Sequence, residues 1–105
     1  MRLAEQRRIA PALTAIDVGA FLGCNSLRSV ELPEGLLAIG RGAFAYCNLL
    51  SSVSIPVSVT QISEEVFSGC DMLTLTVEQG SYAHEYAETY DIPYTYLEVP
   101  DWLMD

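Results

Sequence analysis

The residues of this sequence that could carry chemistry are three cysteines and one histidine. Cys24, Cys47 and Cys70 follow one another at intervals of 23 residues. A zinc site usually takes paired ligands a few residues apart, together with further cysteines or histidines, and this chain has no such set. We therefore expect no metal site and no cofactor.

Two other interpretations of the cysteines remain. A disulfide between neighbouring units is geometrically possible if the units stack like strands about 4.8 Å apart, because a bridge spans Cα separations of that order. Three equivalent thiols would leave one of them unpaired. Free cysteine is also among the most often buried residue types, so we expect each thiol to be a small buried hydrophobic group stacked on the next.

His84 is the only histidine, and the sequence places it on a helix near the carboxyl end. We predict a surface residue there, weakly sensitive to pH through Glu85 and Glu88. The chain has no lysine, no glycine-rich phosphate loop and no paired histidines, and its carboxylates are scattered. No catalytic residues can be assigned, and we expect no enzyme activity.

The spacing of the cysteines belongs to an internal repeat of 23 residues. Five apolar columns share this period, and the phenylalanine column is predicted to form a structural ladder beside the cysteine column. The columns are Leu13, Leu36 and Val59; Ile16, Ile39 and Ile62; Phe21, Phe44 and Phe67; Cys24, Cys47 and Cys70; and Leu27, Leu50 and Leu73.

Each unit also contains a short β-type segment that ends at proline. Val30-Glu31-Leu32-Pro33 and Val53-Ser54-Ile55-Pro56 alternate like strands, and proline stops a strand because it lacks a ladder donor. Leu75-Thr76-Val77 is a later copy one residue short, and Arg8-Ile9 is a degenerate earlier copy. The rest of each unit suits a short helical or 3₁₀ return. One strand and one return in 23 residues predict a solenoid coil.

This pattern resembles the BspA-like leucine-rich repeats, whose hallmark is I-P-x-x-V-x-x-I-x-x-x-A-F-x-x-C. The resemblance covers about residues 9–97 and is strongest in LPEGLLAIGRGAFAYCNLLSSVSIPVSVTQI. It implies an α/β, mostly β, leucine-rich-repeat solenoid with short parallel strands stacked in one sheet, short returns and a C-terminal capping helix. It also implies an interaction protein that is secreted or attached to the surface of bacteria or some protists.

Both ends of the repeat array change character. Arg7 and Arg8 place charge on the first strand, which protects an open sheet edge from further pairing. At the other end, a period of 3.6 residues predicts a lid helix that Ser81 caps and that Asp91-Ile92-Pro93 stops. Its predicted face consists of Tyr82, Ala83, Tyr86, Ala87 and Tyr90.

A last strand is expected within residues 94–99, and the tail that follows carries Trp102, Leu103 and Met104. These three side chains either pack on the flank or offer an apolar hook to a partner. The whole chain is expected to be a single leucine-rich-repeat domain over residues 1–105. About three to four coils occupy residues 9–77, and the C-terminal cap occupies residues 78–105.

Charge and hydropathy restrict the classes of partner. The formal net charge is −9. After Thr60 the sequence has ten aspartate and glutamate residues and no lysine or arginine. Such a surface repels a phosphate backbone, so nucleic acid is not an expected partner. No apolar run approaches the roughly 20 residues of a membrane-spanning helix. Charged residues in MRLAEQRRIA predict no signal peptide there.

The leading hypothesis is a protein-binding module that presents its sheet to another macromolecule. Strand alternation turns one set of residues outward, with short polar neighbours beside them: Arg8, Glu31, Ser54 and Thr76, and then Ser29, Ser52 and Thr74. The alternative is a structural spacer or a self-associating segment of a larger protein. We expect a monomer or a weak homo-oligomer.

Overall fold

Nine short elements follow the repeat along the described part of the chain. The computed structural model describes the backbone of residues 6–8 and all of residues 13–97. In chain order the elements are β1 (Gln6–Arg8), β2 (Ala15–Ile16), β3 (Ser29–Glu31), β4 (Ala38–Ile39), β5 (Ser52–Ser54), β6 (Gln61–Ile62), β7 (Thr74–Val77), α1 (Tyr82–Thr89) and β8 (Tyr94–Tyr96).

The predicted short strands form the main sheet, and they align Val30, Val53 and Leu75, which we call the valine column. All neighbouring strands are parallel, and their order is β1-β3-β5-β7-β8. Val30 pairs with Val53, and Val53 pairs with Leu75, so the copy that is one residue short keeps its place in the register. The prediction of a solenoid with stacked parallel strands and a terminal helix is confirmed.

A second parallel sheet of three strands, β2-β4-β6, runs through the return half of the coils. Ile16 pairs with Ile39 and Ile39 with Ile62, and all three side chains are buried. These strands were not predicted from the sequence. A strand of two residues shows no alternation, so nothing in the sequence distinguishes it from a turn.

Between the isoleucine and cysteine columns, each coil is a series of turns. Some amides donate to the carbonyl three residues back, as the Ala43 N–H does to the Gly40 oxygen at 3.1 Å. Alternate amides donate to the next coil, as the Phe44 N–H does to the Val66 oxygen at 3.0 Å. These bonds satisfy the backbone and join the coils on the side opposite the main sheet.

Two positions in these turns require a left-handed backbone. In one column, φ is +65° at Gly19 and +64° at Gly42, and Glu65 has the same conformation with a φ of +62°. Tyr46 takes the other such position with a φ of +61°. A side chain there is disfavoured by about 1 to 2 kcal/mol. Tyr46 and Glu65 adopt this left-handed conformation although neither is glycine. We infer that the stacking of the coils determines the backbone conformation at these two positions.

The apolar columns fill the space between the two sheets and the turns. In the middle coil, Leu36, Ile39, Phe44 and Leu50 are each 0% exposed. Leu13, in the first coil, is 37% exposed. The central coil is therefore the most completely packed part of the described chain.

The terminal helix begins and ends where the sequence predicts. The Ser81 hydroxyl accepts a hydrogen bond from the His84 N–H at 3.1 Å, which confirms the N-cap. At the other end, Asp91 has a left-handed φ of +57°, and the Ile92 N–H donates to the Ala87 oxygen at 2.9 Å. This bond is the six-to-one bond of a Schellman cap.

The face of α1 that covers the last coil is buried in its middle and exposed at its two ends. Ala83, Tyr86 and Ala87 are buried, whereas Tyr82 and Tyr90, at the two ends of the helix, are exposed. The Tyr86 hydroxyl donates to the Ser63 oxygen at 3.3 Å. Both end tyrosines still make contacts on this side of the helix: the Tyr82 hydroxyl accepts a hydrogen bond from the Ile62 N–H at 3.4 Å, and the ring centroids of Tyr90 and Tyr86 are 4.6 Å apart.

After α1 the chain returns as β8 and pairs in parallel with β7. The Leu75 N–H donates to the Pro93 oxygen and the Leu97 N–H donates to the Val77 oxygen, both at 2.9 Å. The last strand was predicted within residues 94–99, and the structure places it at the start of that range. The tail with Trp102, Leu103 and Met104 lies outside the described residues.

Candidate functional site

The six candidate binding residues lie in two adjacent columns on the main sheet. We call this surface the sheet face. The register pairs members of each column on neighbouring strands, and the columns are Glu31, Ser54 and Thr76, and Ser29, Ser52 and Thr74. Arg8 occupies the register position beside Glu31 on β1. The structure therefore brings the predicted residues together.

The sheet face lies opposite the packed core. Val30 and Val53, between the two columns, are 4% and 0% exposed. Glu31 and Ser52 are exposed, and the other four residues are half-buried by their neighbours on adjacent strands. Short hydroxyl side chains on a regular sheet make this face flat, which suits contact with a macromolecule better than enclosure of a small ligand.

One further hydroxyl extends the sheet face beyond the predicted set. Thr95 on β8 is the register partner of Thr76, and its side chain is exposed. A strand was predicted here but was not aligned with the columns, because the preceding helix interrupts the repeat. The alternation Tyr94-Thr95-Tyr96 was the signal available for this assignment.

The phenylalanine column forms a stack of parallel rings inside the turns. Ring centroids are 5.1 Å apart for Phe21 and Phe44, with an interplanar angle of 2°, and 5.8 Å apart for Phe44 and Phe67, with an angle of 9°. Tyr86 closes the series with an edge-on contact to Phe67 at 6.5 Å. Parallel stacking follows from repeating one side-chain position on successive coils.

The cysteine column makes hydrogen bonds that its apolar character does not suggest. The Cys47 thiol donates to the Phe21 carbonyl oxygen, and the Cys70 thiol donates to the Phe44 carbonyl oxygen, both at 3.1 Å. All three cysteines are free; Cys47 is buried, and Cys24 and Cys70 are half-buried. These two hydrogen bonds each link one coil to the coil before it.

His84 lies in a polar aromatic cluster between α1 and β8. Its Nδ1 accepts a hydrogen bond from the Gly80 N–H at 2.9 Å, and its Nε2 is 3.3 Å from both the Tyr94 hydroxyl and the Glu88 carboxylate. The side chain is only 15% exposed, so the prediction of a surface histidine was wrong. The sequence could not show this burial, because β8 covers the helix only after the chain has turned back.

The Tyr94 hydroxyl completes this cluster by donating to Glu88 Oε2 at 2.8 Å. The bond to Glu88 raises the pKa of Tyr94 to about 12, since ionisation would place two negative charges side by side. The raised pKa extends the pH range over which the phenol can donate this bond. These contacts hold β8 against the helix.

The described residues contain no cluster of side chains suited to binding a metal ion. Within residues 13–97, no group of three or more histidine, cysteine, aspartate or glutamate side chains is arranged to hold a metal ion. The cysteines lie in a single column beside the phenylalanine carbonyls, and His84 lies in the terminal cap.

The family model of the BspA type leucine rich repeat region (6 copies) matches residues 4–90. The chain belongs to this BspA-type family. The resemblance found in the repeat motif is therefore confirmed. No curated protein is similar enough to the BspA-type chain to give a match.

The fold of this BspA-type chain is similar to that of a leucine rich cell surface protein from Faecalibacterium prausnitzii A2-165. The TM-score is 0.52 and the sequence identity is 21%. The similarity covers 95% of this chain and 35% of that protein, so the chain spans about a third of its length. This likeness supports the solenoid fold.

In the part of the BspA-type chain that the structure describes, no helix has both the length and the apolar surface needed to cross a membrane. The helix found there, α1, has eight residues.

The Cys47 thiol of this BspA-type solenoid should resist alkylation in the native protein. Burial raises its pKa from 9.0 to about 11, and only the thiolate is reactive. Labelling with iodoacetamide at pH 8, followed by peptide mass spectrometry, should modify Cys47 only after unfolding, whereas half-buried Cys24 is modified earlier. Rapid native labelling of Cys47, or a mass two units low from a disulfide, would contradict the buried-thiol ladder.

The same pKa shift has a consequence for stability. Folding favours the neutral thiol of Cys47, so this contribution is fully present below pH 9 and is lost as the pH rises toward 11.

Proposed function

We propose that this chain is a non-catalytic repeat module of a cell-surface protein and that it binds a protein ligand through the sheet face. Its family and its fold are typical of proteins without catalytic activity, and its structural neighbour is described as a cell surface protein. On this proposal residues 1–105 form a single leucine-rich-repeat domain, with the coils carrying the binding surface and α1 and β8 closing the core.

The observation that carries the proposal is the regular placement of the polar columns. Glu31, Ser54 and Thr76 occupy equivalent positions on three neighbouring strands. The valine column directly behind them is buried, so the strands cannot rotate without opening the core. A ligand therefore meets a surface whose shape is set before binding, which lowers the entropic cost of association.

The extent of the face limits how a ligand can use it. Five strands about 4.8 Å apart, each about 10 Å long, present about 200 Å². A stable protein interface buries about 800 Å² on each partner. A ligand of the sheet face must therefore also contact the loops at the ends of the strands.

Reversing the charge and adding bulk on the sheet face should abolish ligand capture without unfolding the module. The test variant is Glu31→Lys, Ser54→Arg and Thr76→Arg. These side chains are wholly or partly exposed, and changes of exposed residues typically alter the free energy of unfolding by no more than about 0.5 kcal/mol. The measurement is capture of proteins from the native environment of the chain, quantified by mass spectrometry, together with thermal melting.

A matched control separates this effect from net charge. The variant Asn48→Arg, Thr60→Arg and Glu64→Lys makes the same change in formal charge at exposed positions in the returns. The control should capture the same proteins as the parent. Equal capture by the parent and the sheet-face variant, at equal melting temperatures, would move the binding site away from this face.

A further inference from the structure

A groove opens where the strands of the main sheet end. It has a volume of about 410 Å³ and lies at the carboxyl ends of β3, β5 and β7. We call it the edge groove. Because Glu31 and Ser54 line both the edge groove and the sheet face, the two surfaces are continuous. The edge groove therefore lies where a ligand of the sheet face would extend its contact.

Within residues 13–97, part of the lining of the edge groove is apolar and exposed. Pro33 and Pro56, which end their strands, form part of the lining, together with Val57 and Leu97. Val57 is 53% exposed and Leu97 is 49% exposed. Rigid proline rings and exposed aliphatic groups can pack against the apolar part of an incoming side chain.

The charged part of the lining has one sign. Three carboxylates line the edge groove, from Glu31, Glu34 and Glu78. Among the described residues, no side chain forms an ion pair or a hydrogen bond with these carboxylates. Arg41 forms its ion pair with Glu65 instead. Arg8 lies beside Glu31 in the register, so Glu34 and Glu78 are the carboxylates on which a test should rest.

We propose that the edge groove receives an arginine side chain of the protein ligand. This inference rests on the proposed function and adds the chemistry of one contact. An arginine side chain combines an apolar stem, which would pack on the prolines, with a planar cation whose fork of N–H donors matches a carboxylate. Lysine would offer a compact, strongly hydrated charge that matches the apolar lining less well.

The probe is an acetylated and amidated peptide, Gly-Leu-Arg-Leu-Gly, titrated into the full-length, ¹⁵N-labelled chain at physiological ionic strength. Amide shifts of Glu34, Val57 and Glu78 report on the edge groove. The arginine peptide should shift these amides saturably. The same peptide with citrulline, which is neutral and nearly isosteric, should bind about fivefold more weakly, as expected for a partly exposed ion pair.

Two double variants complete the test. Glu34→Gln with Glu78→Gln should weaken the arginine peptide to the level of the citrulline peptide. Glu64→Gln with Glu85→Gln makes the same change in net charge at exposed positions outside the groove, and it should leave binding within twofold of the parent. Equal binding of the two peptides, or equal weakening by both double variants, would overturn the proposal.

These outcomes are distinct from those for the proposed function. The sheet-face variant changes Glu31 and Ser54, which also line the edge groove, so the arginine contact is judged only from the peptide titrations of the parent chain and the two double variants. Loss of ligand capture in the sheet-face variant, with no discrimination between the two peptides, would overturn the arginine contact alone. Discrimination between the peptides, with full capture by the sheet-face variant, would support the contact while contradicting the proposed binding face.

Discussion

Replacing Phe44 with alanine should lower the free energy of unfolding by about 3 to 5 kcal/mol, the usual loss for a large aromatic side chain in a core. The Phe44 ring is 0% exposed and lies between the rings of Phe21 and Phe67. Both neighbouring rings are held by their own coils, so they cannot close the space that the substitution leaves. A domain is typically stable by about 5 to 15 kcal/mol, so much of the stability would be lost.

Urea denaturation followed by far-ultraviolet circular dichroism measures this loss. Leu22→Ala is the control, because Leu22 belongs to the turns of the first coil but is 56% exposed. It should change the free energy of unfolding far less than Phe44→Ala. Similar midpoints for the parent and Phe44→Ala would show that the ring stack does not stabilise the fold.

Ending the chain after Val77 should make the protein aggregate or self-associate more than the parent does. The cut removes α1 and β8, which cover the last coil and the edge of β7. It uncovers apolar side chains that are now almost wholly buried, among them Leu75 and Val77, each 0% exposed. An open strand beside a bare apolar surface is a template for further pairing.

Sedimentation velocity distinguishes the outcomes. A chain ending at Leu97 is the matched control, because it keeps α1 and β8 while removing the tail. This control should sediment as the parent does, and the chain ending at Val77 should form larger species. A monomeric and folded fragment of residues 1–77 would show that the last coil needs no cover.

Much of the fold follows from the spacing of a few residue types. The valine, phenylalanine and cysteine columns recur at one period, and the structure stacks each of them in that register. Ser81 and the aromatic residues after it mark a helix, and the family match agrees with the repeat motif. These features were accessible because each depends on local preference or on a period repeated three times.

Other features depend on contacts that no local pattern encodes. The Cys47 thiol donates a hydrogen bond to the carbonyl oxygen of a residue 26 positions earlier. The sequence alone does not show whether a free cysteine makes such a hydrogen bond. His84 is partly covered by a strand that comes after it. Thr95 joins the sheet face only because α1 carries the chain back to β7. In the edge groove, likewise, parallel stacking places Glu34 and Glu78, from different coils, along one groove.

The hydrogen bonds between coils also give the solenoid a mechanical direction. They run along the axis on which the coils stack, in both sheets and in the turns. Tension between the first and last coils therefore acts parallel to these hydrogen bonds. We expect the bonds to break sequentially, one coil at a time, instead of all at once under shear. Each coil of 23 residues that opens would release about 80 Å of extended chain. Under load the stack would lengthen in steps while the coils that remain closed keep their shape.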